Sequence, residues 1–310
     1  MDSLGRDLQD IDSPSRPEGG GDDVLEFLAR APFRLIRPER QRVPFVVASP
    51  HSGRAYPKGF LAQSRLPLEA LRRSEDAFVD ELFAPAAEFG APLIAATFPR
   101  AYLDVNRAPA EFDPAMFETA LPFPVDQASP RVHAGLGVIP RIVRDGAEIY
   151  RRKLTVEEAG RRLSLFYRPY HAALAALVEE TVQQFGVAVV IDCHSMPSAA
   201  AVPDIVLGDR YGMSAAPLVM HLAEEALTAE NFSVARNIPY AGGYTTQLHG
   251  RPSRSRHALQ IEINRALYMD EDVIRPAPSF SRVRLSLRAA LLALTALDPS
   301  RLLPLRHAAE

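Results

Sequence analysis

Val187-Ala-Val-Val-Ile-Asp-Cys-His-Ser-Met-Pro197 is the stretch on which the reading of this chain turns. Its first six residues, Val187 to Asp192, are apolar and β-branched almost without interruption, the pattern of a strand buried on both faces rather than of one half-exposed to water. Gly186 punctuates its start. Upstream, from about Thr155 to Phe185, apolar residues recur at helical spacing, which predicts a long amphipathic helix with an interruption at Pro169. A helix leading through a glycine into a fully buried strand is half of an α/β repeat.

Other segments extend the alternation. Val43 to Ser49 predicts a buried strand that stops at Pro50, and Pro92 to Phe98 a second. Ala101 to Val105 reads as a third strand. Pro67 to Phe89 carries Leu68, Leu71, Phe78, Val79, Leu82 and Phe83 at helical spacing, with Pro67 near the helix start. Asp204 to Gly208 and Ala258 to Ile263 read as further strands. Ser214 to Glu230 and Phe280 to Leu297 read as helices, the first begun by Ser214. The expectation is a single α/β domain, a mixed and mostly parallel sheet with helices on both faces. Residues 108 to 147 are rich in Pro, Gly and acidic residues without a period, and a loop of that length in a compact domain is usually functional. Residues 1–22 read as a disordered leader, 23–300 as one folded domain and 301–310 as a tail.

Composition narrows the function. A net charge of −3 over 310 residues gives no electrostatic case for nucleic acid. No run approaches 18 consecutive apolar residues, so no membrane partner is expected. The opening MDSLGRDLQDIDS lacks the apolar core of a secretory signal. The lone Cys193 forms no internal disulfide, cannot support a cysteine-only metal site, and fits a reducing cytoplasm.

The chemistry gathers at strand ends, where ligands collect in open α/β sheets. The first strand runs into Pro50-His51-Ser52-Gly53, and the central one into Asp192-Cys193-His194. Glu262 lies within the apolar run 258–263, where a carboxylate is costly without a partner. Catalytic zinc commonly takes three His or carboxylate ligands and keeps an open position. His51 and His194 supply two. The segment Arg73-Ser-Glu-Asp-Ala-Phe-Val-Asp80 offers Glu75, Asp76 and Asp80 for the third, with Asp76 preferred; helical spacing places Asp76 and Asp80 on one face. Glu262 is then the candidate general base. A lone histidine after a strand is more often structural than ligating, so the weight rests on the combination.

Two further groups stand out. In Tyr102-Leu-Asp-Val-Asn-Arg107, Arg107 offers a planar fork for a carboxylate and Asn106 a neutral donor beside it, against the alternative of an ion pair with Asp104. The stretch Pro239-Tyr-Ala-Gly-Gly-Tyr-Thr-Thr-Gln-Leu-His-Gly-Arg-Pro252 carries Tyr244, Thr246, His249 and Arg251 on a turn-rich loop that reads as a substrate lid, with a well-capped turn as the alternative. It lacks the pattern of a phosphate loop, and neither Ser52 nor Ser195 lies in a nucleophile elbow.

Taken in order, SPHSG around His51, SEDAFVDEL around Asp76, YLDVNR, IDCHSMP, the GGY-to-HGRP stretch and QIEINRALYMDE at 260–271 resemble the N-formylglutamate amidohydrolases, over most of the chain between Val46 and Glu271. The resemblance implies a zinc-exopeptidase-like fold related to the zinc carboxypeptidases. It implies one zinc ion on His51 and His194, Glu262 as base, and Asn106 and Arg107 on a substrate carboxylate. The carboxypeptidases place a ligand carboxylate three residues after the first histidine. That position here is Arg54, so the third ligand must come from elsewhere, and Asp76 is the choice. His171 also matches a family position, read as a core or supporting residue. The implied reaction is hydrolysis of an N-acyl amino acid, N-formyl-L-glutamate to formate and glutamate, with Arg141 or Arg251 stabilising the oxyanion. The alternatives are deacylation of a longer acyl or peptidyl substrate, which a covering 111–141 loop would exclude, and a non-catalytic binding module.

Overall fold

A computed structural model describes residues 23–126, 128–143, 146–199 and 202–303. The leader and all but the first residues of the tail lie outside the described residues. Seven strands form one sheet: β1 (Phe33–Ile36), β2 (Phe45–Ser49), β3 (Leu93–Ala96), β4 (Ala188–Met196), β5 (Ile205–Gly208), β6 (Val234–Arg236) and β7 (Arg256–Asn264), in the order β1-β3-β2-β4-β7-β5-β6. The central strands β3, β2, β4 and β7 are parallel, while β1 and β5 join antiparallel to β3 and β7. The mixed, mostly parallel α/β sheet is therefore as expected.

Strand alternation divides the core in two. Val189, Ile191 and Cys193 of β4 face one cluster with Val47, Leu93, Leu259 and Ile261, covered by the helices Pro217–Ala229 and Phe280–Thr295. Val190 faces the other with Val46, Ile94 and Ala258, under Leu174, Leu177 and Val178 of the helix Arg168–Phe185. Burial on both faces is what produced the unbroken apolar runs in the sequence. The long helix is one rod with a defect: Val156–Arg162 passes through a π-type turn at Leu163–Tyr167 into Arg168–Phe185. Pro169 has no N–H to give to the ladder, and the widened turn lies just before it. Thr155 caps the rod by accepting from Glu158 N, and Gly186 ends it at φ 76°. Among the described residues, no helix is long and apolar enough to cross a membrane.

Three expectations fail, two of them where the chain turns toward the strand ends. The stretch 67–89 is not one helix: Leu68–Arg72 ends, residues 73–78 turn, and Val79–Phe83 restarts from Phe78 in the left-handed region (φ 64°) before a 3₁₀ segment, Ala84–Phe89. Asp76 N–H donates to His51 O (3.0 Å), so the break brings Asp76 onto the β2 turn. A left-handed non-glycine residue costs about 1–2 kcal/mol. Residues 101–105 are turns rather than a strand, with Tyr102 N–H and Leu103 N–H both donating to Pro99 O. That segment is held from beneath by the fully buried Arg162, which donates to Tyr102 O (2.9 Å) and Tyr150 Oη (2.7 Å) and lies 4.0 Å over the Tyr102 ring. The third difference is a boundary: Ser214 does not cap its helix, which starts at Pro217, but donates to Ala258 O instead.

Gly53, two residues beyond His51, has no room for a side chain: a Cβ there would lie 2.0 Å from Phe98 O. Gly160, in the exposed interior of the long helix, would meet nothing within 4 Å. Gly53→Ala is expected to lower unfolding stability by at least about 2 kcal/mol. Gly160→Ala is expected to raise it by about 0.5–1 kcal/mol. Denaturant midpoints of the two variants check both signs.

Candidate active site

The polar residues gather at the carboxyl ends of the parallel strands. His51 sits in the turn after β2. His194 lies inside β4, which runs on to Met196 instead of ending at Ile191, and Glu262 is its register partner on β7. Asp76 arrives from the turn described above. His51, Asp76 and His194 are at most 3% exposed, and one ligand atom from each lies within 4.8 Å of the other two. His51 Nδ1 and His194 Nδ1 are 3.2 and 3.0 Å from Asp76 Oδ2 and 3.1 Å from each other.

The far nitrogens decide what this cluster can do. His51 Nε2 lies 2.7 Å from Asp104 Oδ1, and His194 Nε2 lies 3.0 Å from Asp192 Oδ2. In the tautomer in which both carboxylates accept the Nε2–H, the one suited to a metal ligand, each Nδ1 lone pair faces the other and Asp76. Three converged donors of this kind are complementary to a cation held between them, a metal ion or, without one, the proton that Asp76 and Asp192 favour on His194. Histidines backed by carboxylates and paired with a third oxygen donor are the ligand set of a divalent metal, so these residues fit one. The titration behaviour reflects the same crowding. Burial opposes charge on Asp76, but the two imidazoles hold its carboxyl well below the usual range. Burial likewise opposes charge on His194, yet Asp192 and Asp76 hold its pKa well above the ordinary value.

Around the cluster is a cavity of about 240 Å³ lined by Asp76, Arg100, Asp104, Arg107, Glu262 and Arg265, with Tyr240 at one side. Leu136, Pro140, Ile142 and Val143, from the long loop region, form its wall. Burial pushes the Glu262 carboxyl up to about 7, against the pull of His194, Arg100 and Arg265; Gln260 Nε2 donates to its Oε1 (2.9 Å).

The profile of the N-formylglutamate amidohydrolases matches residues 43–269. The chain belongs to this family. It is 30% identical to the N-formylglutamate deformylase of Pseudomonas aeruginosa over 81% of this chain and 87% of that one, and 28% identical to that of Pseudomonas putida over 74% and 83%. The structure of N-formylglutamate amidohydrolase from Ralstonia eutropha JMP134 superposes with a TM-score of 0.83 at 39% identity, covering 87% of this chain and 99% of that one.

Within this family member, several residues singled out in the sequence lie elsewhere than expected. Glu75 is taken by Arg72 and Tyr56, and Asp80 by Arg34 and Arg54. Asp76 and Asp80 therefore do not share a helix face. Arg107 lines the cavity, its Nε donating to Leu136 O. Asn106 does not line it: its Oδ1 accepts from Thr245 N (2.8 Å), and its Nδ2 rests against His194 Nε2 and Asp192. Tyr244–His249 is a short helix behind His194, not a lid. Thr246 is buried and caps Gly243 O, His249 is buried, and Tyr244 packs edge-on against His171. His171 is a core histidine, bonded to Val105 O and kept neutral by burial, its pKa lowered to about 4. Arg141 pairs with Asp113 and Glu148, and Arg251 is exposed. Neither lines the cavity.

Sequence reasoning missed Arg100, Asp104 in its role at His51, Asp192, Arg265 and Tyr240. Asp192 had a signal, since it lies two residues before His194 and so on the same strand face. Arg265 donates to Asp76 Oδ1 (3.0 Å) and Arg100 to Asp104 Oδ2 (2.7 Å); neither stands in a pattern that announces it. If the Nε2 contacts orient the imidazoles as described, Asp192→Asn and Asp104→Asn are each expected to weaken divalent-metal affinity by about 10–100-fold. Competition against a chromophoric chelator measures this, and unchanged affinity in both variants contradicts the arrangement.

Proposed function

We propose that this chain is a zinc-dependent amidohydrolase that converts N-formyl-L-glutamate to formate and L-glutamate. The observation that carries this reading is the convergence of three buried donors, one of which, Asp76, lines a small cavity together with a carboxyl whose pKa is raised to about 7 and the guanidiniums of Arg100, Arg107 and Arg265. The relatives' deformylase and amidohydrolase names supply the substrate.

His51, Asp76 and His194 would hold the zinc ion. Such an ion supplies Lewis acidity, polarising the formyl oxygen and making water a better nucleophile near pH 7. Glu262 takes a proton from the attacking water and passes it to the amide nitrogen as the carbon–nitrogen bond breaks, so formate and the free amine leave. Arg107 grips a substrate carboxylate and holds the scissile amide in place. Arg100, which approaches Asp76 and Glu262, takes the oxyanion-facing role first considered for Arg141 and Arg251. Asn106 acts through Asp192, the partner of His194, rather than on substrate. The wall from Leu136 to Val143 favours a small substrate over a long acyl or peptidyl chain, since 240 Å³ is below the range of about 300–1,000 Å³ for drug-sized ligands.

Glu262→Gln is expected to lower kcat by roughly 10²–10⁴-fold while the protein keeps its metal; full turnover with metal bound ends the general-base assignment. In the wild type, Glu262 is active when deprotonated, so kcat/KM rises with pH up to a plateau. The carboxyl is raised to about 7 in the structure, and a neighbouring cation pulls it lower, so the limb should lie at or below pH 7. A rate that falls as pH rises from 5 to 7 contradicts this sign. Arg107→Ala is expected to reduce kcat/KM by about 10–100-fold, the loss of a charged hydrogen bond, mainly through KM; steady-state kinetics separates the two.

A further inference from the structure

Arg141, displaced from the active cavity, lines a second one. Pro140, Ile142 and Val143 wall the active cavity, whereas Arg141 turns to a separate basin of about 280 Å³. The floor of this basin is Met116 and Tyr150, both buried, and its rim carries Arg65, Arg141, Arg151, Arg152 and Lys153 with, among the described lining residues, a single acid, Glu148. Arg141 is paired with Asp113 (3.1 Å) and Glu148 (3.4 Å). Among the described residues, the other four cations have no carboxylate partner. Such a concentration is unexpected in a chain of net charge −3, because like charges repel unless a counter-ion is gathered there.

The basin is also built rather than merely charged. An antiparallel bridge joins Ser64 to Tyr150, and Arg65 N–H and Arg151 N–H donate across it to Ile149 O (2.7 Å) and Gln63 O (2.9 Å). Arg65 Nε donates to Tyr150 O (2.7 Å) and Arg151 Nε to Ser64 O (2.8 Å). Each guanidinium plane is thereby fixed on backbone while its terminal nitrogens stay available, which is the geometry that grips an anion's oxygens in pairs. We propose that this basin binds a small polyanion bearing two or more phosphate or carboxylate groups, at a site separate from the active cavity.

The test is calorimetric titration of the full-length protein with benzene-1,3,5-trisulfonate, a trianion that does not strip metals. Four proteins are compared: the wild type, Arg152→Ala/Lys153→Ala in the basin, Arg282→Ala/Arg284→Ala on a remote helix face with the same loss of charge, and Arg107→Ala in the active cavity. All four substituted surface positions are exposed, and circular dichroism verifies folding. The expected result is saturable binding of one trianion per chain that weakens with salt. Affinity should fall at least tenfold in the basin variant and remain unchanged in the other two. Repeating the titration with tricarballylate and with glycerol 1,3-bisphosphate distinguishes a carboxylate from a phosphate ligand by the tighter binder. Equal affinity in all four proteins, loss confined to Arg107→Ala, or no saturable binding of any of the three anions overturns the proposal.

Discussion

The structure depends on a local electrostatic conflict. Two imidazole nitrogens and a carboxylate oxygen are forced within a few ångströms of one another in a buried site, with Asp104 and Asp192 placed beside the far ring nitrogens. Such a cluster is unstable unless a positive charge sits between the donors, because burying unpaired lone pairs and a carboxylate together carries a large desolvation cost. The surrounding chain is arranged to make this conflict rigid. Arg265 fixes the other oxygen of Asp76, Asn106 Nδ2 donates to Asp192 beside His194, and Asp104 is shared between His51 and Arg100. Asp104 thus ties the candidate ligand His51 to a guanidinium that lines the cavity through one carboxylate.

The sheet supplies the alignment. Parallel pairing of β4 with β7 sets His194 opposite Glu262 and Asp192 opposite Gln260, so one face of two neighbouring strands changes from apolar to polar over a few residues. A register shift of one residue would send His194 and Glu262 into the opposite core. The long loop region then closes one side of the cavity with apolar residues, which keeps the dielectric low around Glu262 and explains its raised pKa.

Much of this was legible in the sequence because burial leaves a strong mark. The runs at 43–49, 92–98 and 187–192 are apolar on both faces, and only strands in a covered sheet need that. His51, His194 and Glu262 stand out since each interrupts or ends such a run. What was hidden depends on long-range contacts. The segment around Asp76 carries a helical pattern, and its break comes from a hydrogen bond to His51 O and from Phe78 accepting a left-handed backbone. Residues 101–105 have strand-like composition but are held in turns by Pro99 and by Arg162 beneath them. Arg141 and Arg251 looked as suitable as Arg100 by residue type, and only the fold separates them. Asn106 was read as facing substrate because an amide beside an arginine suits that role. The structure spends its donors and acceptors on Asp192 and Thr245 instead.

The most direct test of the central claim joins metal content to turnover: protein purified without chelators, elemental analysis, and formate release from N-formyl-L-glutamate before and after chelation and metal return. The account predicts about one zinc per chain and formate release that chelation abolishes and zinc restores. Metal-free protein that still releases formate, or zinc-loaded protein that releases none, would contradict it.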